Sequence, residues 1–329
     1  MKEHKPRTLS VIIPVLNGES LLRESLPPLL PTSAPREVIV IDDGSTDGSA
    51  SLARQLGACV IPSGGHALGP AAARNLGAQH ASGDILLFVD ADVVIDSSVP
   101  ERILLKFEDD SVGAIFGSYD ATPRERNYAS LYMNLRHHHG HREPSDNAST
   151  FWTGLGAVRR EAFSAIGGFD TARFPLPSVE DVDLGQRLVA SGSHIHRDPS
   201  LRGTHLKRWS WKGVIHTDIF RRAIPWSKMM LANPGKFTDL NVGKYEQLKA
   251  LLAGVWFVTM GLALIGVVPP GIPIAGFALI LLANRSLGLI FMKAAGVSFA
   301  VAGVAFHQIH FLYSGLAYMT CRMRYGLSR

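Results

Sequence analysis

Cysteine is nearly absent from this 329-residue chain: Cys59 and Cys321 stand far apart, which leaves no disulfide framework and no cysteine-built zinc site. Neither G-x-G-x-x-G nor G-x-x-x-x-G-K-S/T occurs, so its glycine-rich segments are not phosphate loops of those two kinds. The apolar stretch Val11–Val15 is too short and too Pro-bounded to be expected as a secretory leader. The N-terminal part is therefore expected to stay in the cytosol. Charge is thin at 19% of residues, while 46% are apolar; with a mean hydropathy of +0.12 that balance points to a membrane part. The net charge of +5 is unevenly placed, since Arg202 to Lys249 holds ten Lys and Arg against Asp218, Asp239 and Glu246.

What is present is organised around Gly83 to Ile95. Ile85 to Val89 is an unbroken apolar run, as expected for a strand buried on both faces of a parallel sheet. Asp90 and Asp92 come after it two residues apart, and alternation along an extended segment puts such a pair on one side. Ligands of open α/β sheets bind outside the carboxyl ends of strands. Paired carboxylates there suit a hard divalent cation holding phosphates. A solvated turn is the plainer alternative for Asp-x-Asp alone.

Leu9 to Val15 is a first buried strand closed by Asn17-Gly18, and Glu19 to Leu26 a short helix ended by Pro27-Pro28. Glu37 to Ile41 is a second strand that runs into Asp42-Asp43-Gly44-Ser45-Thr46-Asp47-Gly48-Ser49. That turn opens a helix through Leu56, with Asp47 as the expected N-cap. Turn chemistry does not account for Asp42, which directly succeeds the strand where a base or ribose would bind. Pro70 starts a helix over Ala71 to Ala81, with Arg74 on its first turn near the strand ends or simply in solvent. The order β-α-β-α-β-α-β marks a doubly wound, mostly parallel sheet.

Four motifs in this order resemble the N-terminal half of the family-2 glycosyltransferases with the GT-A fold. They are Val11-Ile12-Ile13-Pro14-Val15-Leu16-Asn17-Gly18-Glu19, the Asp42 to Ser49 run, Gly69-Pro70-Ala71-Ala72-Ala73-Arg74-Asn75, and Asp90-Ala91-Asp92. The resemblance implies a nucleotide-diphosphate-sugar site drawing on Pro14, Asn17, Glu19, Asp42, Arg74, Asp90 and Ala91. It places Asp42 near the base and Asp92 on a divalent cation, Mn2+ or Mg2+, that bridges the diphosphate.

Farther along, Pro100 to Asp109 is expected as a helix and Val112 to Tyr119 as a strand. Asn127 to Ser149, with His137-His138-His139-Gly140-His141, lacks ligand-like spacing and is expected as a solvated or acceptor-facing loop. Phe151 to Val158 returns to strand character, with Gly154 and Gly156 permitting close backbone approach; in the resembled family Gly154 would lie in a loop beside the donor sugar. Arg160 to Ile166 is a short helix. Val179-Glu180-Asp181-Val182-Asp183 then enters a helix over Asp183 to Ala190. First-turn acids suit the helix dipole, but three in four residues exceed what capping needs. The family carries Glu-Asp at this place, so Glu180 and Asp181 are carried over as catalytic, Asp181 as general base. After the short edge strand Ile195 to Leu201, His205 resembles the histidine that completes the metal shell in many GT-A enzymes, joining Asp92 and Asp90; a surface histidine is the alternative. His205-x-x-Arg208-Trp209 is similar to the Gln-x-x-Arg-Trp motif of processive members. The exchange of Gln for His points to a single transfer, with Arg208 and Trp209 toward the acceptor.

Lys207 to Lys228 interleaves cations with Trp209, Trp211, Phe220 and Trp226. Nucleic-acid binders show such a pattern, but the long uncharged runs C-terminal to it favour an interfacial membrane segment and no nucleic acid. Ala250 to Val268 is nineteen residues without a charge, about 28 Å as a helix and close to the hydrocarbon core. Ile272 to Met292, with Pro273 and Arg285, is a second candidate span, and Ala294 to Cys321 a third. Three spans are favoured, although they leave Arg322, Arg324 and Arg329 outside against the positive-inside tendency; two spans resolve that conflict. His307 and His310 lie one helical turn apart in the last span, as functional or packed polar groups.

The sequence thus divides into a GT-A domain (1–206), a basic interfacial segment (207–247), transmembrane helices (248–321) and a basic tail (322–329). The expected protein is a multi-pass enzyme of the inner (plasma) membrane with a cytoplasmic catalytic domain. It would be a metal-dependent, inverting glycosyltransferase acting on a lipid or lipid-linked acceptor. A polyprenyl-phosphate acceptor and a non-catalytic scaffold that kept the nucleotide-binding shape are the alternatives.

Overall fold

Every residue from Ile85 to Val89 is buried in a strand, so this apolar run does lie inside a sheet. The computed structural model describes residues 7–30, 36–233 and 243–327. Its strands are β1 (Leu9–Val15), β2 (Arg36–Asp42), β3 (Cys59–Pro62), β4 (Ile85–Val89), β5 (Val93–Ile95), β6 (Val112–Tyr119), β7 (Leu155–Arg159) and β8 (His194–His205). The helices are α1 (Glu19–Ser25), α2 (Ser49–Gln55), α3 (Pro70–His80), α4 (Val99–Lys106), α5 (Tyr128–His141), α6 (Arg160–Ala165), α7 (Glu180–Ala190) and α8 (Trp211–His216). A π-helical stretch (Thr217–Ala223) leads to α9 (Ile224–Ala232), α10 (Lys244–Leu264), α11 (Gly271–Ala283) and α12 (Arg285–Leu327).

The sheet runs β3-β2-β1-β4-β7-β6-β8-β5. Its first four strands are parallel, joined by crossover helices, as the alternating pattern requires. β7 enters antiparallel between β4 and β6, and β5 closes the far edge antiparallel to β8. Parallel order puts the carboxyl ends of β1, β2 and β4 on one edge, where the loops leaving them carry the polar residues. Pro14 lies beyond the stretch of β1 paired with β4, which ends at Ile12, so it does not interrupt that ladder.

The chain forms two compact units. One comprises Met1–Asp120 with His141–Lys207, and the other Ala121–Gly140 with Arg208–Arg329. The core of the first is the sheet's apolar layer, where Phe88 meets Phe163 and Phe169 at 5.5 Å between ring centres. In the second, Tyr132 and Leu135 pack with Phe291, Phe299 and Val304.

Four expectations need correction. The Asn127–Ser149 stretch is not a loop: Tyr128–His141 is a 14-residue helix. Ala129 to Leu135 are buried without exception, so α5 shows no one-sided apolar stripe by which to recognise it. Gly48, not Asp47, is the N-cap of α2, although Asp47 Oδ1 still accepts from the Ser49 amide at 3.0 Å. β7 begins at Leu155, because Thr153-Gly154 form a turn after Phe151-Trp152. The apolar run Ile272–Met292 is broken at Asn284: α11 ends before it and Arg285 begins α12.

Among the described residues, two helices, α10 and α12, are long and apolar enough to cross a membrane. α11 has 13 residues, about 20 Å, short of a hydrocarbon core of roughly 30 Å. α12 is kinked at Ala295 and Gly296, whose φ values of −149° and 86° leave the helical region. The centre of the basic segment, 234–242 with Lys236 and Asp239, and Arg329 of the tail lie outside the described residues.

Candidate active site

The loop after β1 and the loop after β2 are stitched together side by side. Asn17 takes φ +52°, a conformation its short amide tolerates, and its Oδ1 accepts from the Thr46 amide at 2.8 Å. The Asn17 amide donates to Ser45 Oγ, and Glu19 Oε2 accepts from the Gly48 amide at 3.1 Å. Asn17 and Glu19 therefore spend their polar atoms on bracing this edge. Asp42 Oδ1 accepts from the Ser45 amide at 3.1 Å. Its neighbour Asp43, which sequence reasoning passed over, is buried and takes the Leu68 and Gly69 amides on its two oxygens, at 2.7 and 2.9 Å. That clamp fixes the glycine-rich loop ahead of α3. Gly69 is required there: its φ is +87°, and a Cβ would stand 2.6 Å from the Pro175 carbonyl oxygen.

Beyond β4 the backbone turns instead of continuing extended, so alternation does not govern Asp90 and Asp92. Their carboxylates take different partners. Asp90 Oδ1 accepts from Arg74 at 2.6 Å, whereas Asp92 Oδ2 lies 3.3 Å from His205 Nε2. Between them, the Ala91 carbonyl accepts from Ser25 Oγ at 2.7 Å. Arg74 is buried, and its second amine reaches Glu180 Oε1 at 3.2 Å, joining the end of β4 to the start of α7. Burial alone would weaken the Arg74 charge, but Asp90 and Glu180 more than reverse this and raise its pKa.

Three acids open α7 and meet three fates. Glu180 is held by Arg74 and by the Ser178 amide at 2.8 Å. Asp183 lies between Arg173 and Arg187, at 2.8 and 2.7 Å. Asp181 has no cation in hydrogen-bonding contact among the described residues and accepts only from the Val182 amide at 2.8 Å. Burial, then the neighbouring Glu180 charge, push its pKa up to about 7 against the pull of Arg74.

The Asp92–His205 pair is set by sheet register. Val93 is opposite His205 across β5 and β8, and the Leu206 amide donates to the Asp92 carbonyl at 2.8 Å. Burial disfavours the Asp92 charge, yet the His205 hydrogen bond and charge, with Lys207 beyond, hold its pKa below the usual carboxylate value. Among the described residues no three of His, Cys, Asp and Glu gather as a ligand set, so Asp90 does not join this pair. One carboxylate oxygen and one imidazole nitrogen nonetheless suit a divalent ion whose other positions come from phosphates and water. Gly154 sits beside β4, its carbonyl facing the Asp90 amide at 3.4 Å, and a Cβ there would collide with the Trp152 ring at 2.4 Å. Arg208 and Trp209 belong to the helical unit, where Arg208 pairs with Glu125 and the Trp209 amide donates to Ser130 Oγ.

Comparison with known proteins agrees with this edge geometry. The model of the family "Glycosyl transferase family 2" matches residues 10–167. The pre-mycofactocin glycosyltransferase of Mycobacterium tuberculosis is 31% identical over 227 residues, covering 65% of this chain and 46% of the relative. The 4,4'-diaponeurosporenoate glycosyltransferase of Staphylococcus haemolyticus is 31% identical over 165 residues, covering 49% of this chain and 40% of the relative. The chain thus spans less than half the length of these two relatives. Among solved structures, the mannosyltransferase PcManGT of Pyrobaculum calidifontis, in complex with GDP-Man and Mn2+, aligns with a TM-score of 0.64 at 20% identity. That alignment covers 96% of this chain and 88% of the other, and it speaks to the fold. With strand-end acids on a GT-A sheet, residues 10–167 of this chain match as a glycosyl transferase family 2 domain.

Proposed function

We propose that this chain is a membrane-anchored transferase that moves one sugar from a nucleotide-diphosphate sugar to a lipid or lipid-linked acceptor, with inversion at the anomeric carbon. The observation that carries this reading is the isolation of Asp181. Its two acidic neighbours on α7 are committed to arginines, while Asp181 is left with a proton affinity near neutrality. A carboxylate tuned in that way takes a proton from an attacking hydroxyl at cellular pH. Glu180 and Asp90, whose charges reach Asp181, are both held by Arg74 and offer no free nucleophile, so a single displacement with inversion is the expected course.

Each neighbouring group has a place in that step. Asp42 would receive the base or ribose at the end of β2, and Asp43 holds the glycine-rich loop ahead of α3. Asp92 and His205 would hold a divalent cation, Mn2+ or Mg2+, whose chemistry is to neutralise the departing diphosphate. Arg74 ties Asp90 at the donor edge to Glu180, the residue next to the base. α10 and α12 anchor the chain as a multi-pass protein of the plasma membrane, with the transferase domain (1–206) on the cytoplasmic side. The relative named for 4,4'-diaponeurosporenoate supports a lipid-like acceptor. A polyprenyl phosphate would arrive already ionised and need no base, so the raised Asp181 affinity favours a hydroxyl acceptor.

The test is to incubate membranes containing the protein with a panel of radiolabelled nucleotide sugars and extract the lipids. A labelled lipid whose new bond has the anomeric configuration opposite to the donor's supports the reading. Label appearing only in water-soluble products, or with retained configuration, contradicts it.

A further inference from the structure

His205 is constrained through its backbone and through its ring. The β5–β8 ladder and the Leu206 amide on Asp92 fix where the His205 backbone stands. They do not fix the imidazole plane, because the terminal torsion of histidine is broad and soft. The ring is instead stacked on Tyr119, centre to centre at 4.5 Å and within 13° of parallel. Tyr119 in turn takes the Trp152 ring edge-on at 4.8 Å and 84°. Trp152 has its own neighbour in Gly154, where any Cβ would press into the indole.

The strand register explains why Tyr119 reaches His205. Across β6 and β8 its partner is Gly203, which has no side chain, and a Cβ at that position would stand 2.5 Å from Val93 Cγ1. His205 lies two residues farther along β8, on the same face. Val93 fills the place at Gly203, and Tyr119 and His205, on one face of neighbouring strands, meet on the diagonal.

We infer that Tyr119 is a positioning residue: it fixes the His205 ring plane so that Nε2 stays turned to Asp92, and thereby sets the site's affinity for a divalent cation. The inference rests on the proposal that Asp92 and His205 hold such an ion. Partners that orient a metal-binding histidine typically change affinity about 10–100-fold when removed.

The experiment measures Mn2+ affinity of the purified full chain in detergent from the electron paramagnetic resonance signal of free Mn2+, with a thermal melt of each variant. Tyr119→Phe keeps the stacked ring and is expected to bind as the wild type does. Tyr119→Leu is expected to weaken binding at least about 10-fold, yet to add nothing when His205→Ala is already present. A Tyr119→Leu protein with unchanged affinity, beside a weakened His205→Ala, overturns the inference and leaves the cation site standing. A loss just as large in the His205→Ala background also overturns it, because the effect then does not pass through the imidazole. Unchanged binding in His205→Ala itself removes the cation reading and this inference with it.

Discussion

Arg74 and Glu180, 106 residues apart in the chain, are joined by a 3.2 Å ion pair between two buried side chains. The same guanidinium reaches Asp90 at 2.6 Å, which only a forked, permanently charged group does from one position. Arg74→Ala strands the Glu180 carboxylate without compensation and is expected to cost about 3–5 kcal/mol of stability. Combining Arg74→Met with Glu180→Gln should recover part of that loss. Urea unfolding of the three proteins checks both statements.

Asp181 sets the expected pH dependence. As a base it works ionised, so kcat/KM toward a hydroxyl acceptor should rise through about pH 7 and level off above it. Stability runs the other way. The folded state holds this proton more tightly than the unfolded chain, whose aspartate pKa is about 3.9, so the group's contribution falls as pH rises from about 4 to about 7. In Asp181→Asn both slopes should vanish, as pH profiles of rate and of melting temperature would show.

Asp183 is the control for that assignment. It is buried and bonded to Arg173 and Arg187, and Arg187 also holds the Gly168 carbonyl at 2.6 Å. Asp183→Asn is expected to cost about 2 kcal/mol in folding while the turnover of the folded fraction persists. Equal kinetic damage from Asp181→Asn and Asp183→Asn would argue against a special role for either.

The helical unit has its own charge centre. Arg136 forks onto the buried Asp218, both contacts at 2.7 Å, and Arg222 and Tyr313 add to the same carboxylate at 3.3 and 2.5 Å. Burial opposes ionisation there, but Arg136 wins and holds Asp218 far below the usual carboxylate range. Its stabilising effect is present above about pH 4 and declines as pH falls below that. Asp218→Ala leaves Arg136 uncompensated and should cost about 3–5 kcal/mol, measured by thermal melting in detergent.

How far the sequence discloses all this depends on the reach of each interaction. β1 and β6 are legible to the residue, because apolar runs and turn residues are local signals. The acids at the ends of β2 and β4 and at the start of α7 are visible for the same reason. α5 is hidden because its apolar part is buried all round, leaving the histidines as its conspicuous feature. Asp43 looks like a turn residue until Leu68 and Gly69 fold back onto it. The sharing of Arg74 between Asp90 and Glu180, and of Asp218 among groups from residue 136 to residue 313, depends on three-dimensional closeness that no local pattern encodes.

The central claim is that the strand-end site cleaves an activated sugar with Asp181 as base. Release of nucleoside diphosphate by purified wild type and Asp181→Asn, across a panel of nucleotide sugars with Mn2+ and a total lipid extract, tests it most directly. The account predicts lipid-dependent release from at least one donor by the wild type, falling about 100-fold or more in the variant. Equal lipid-dependent release by both proteins, or none from any donor, would contradict it.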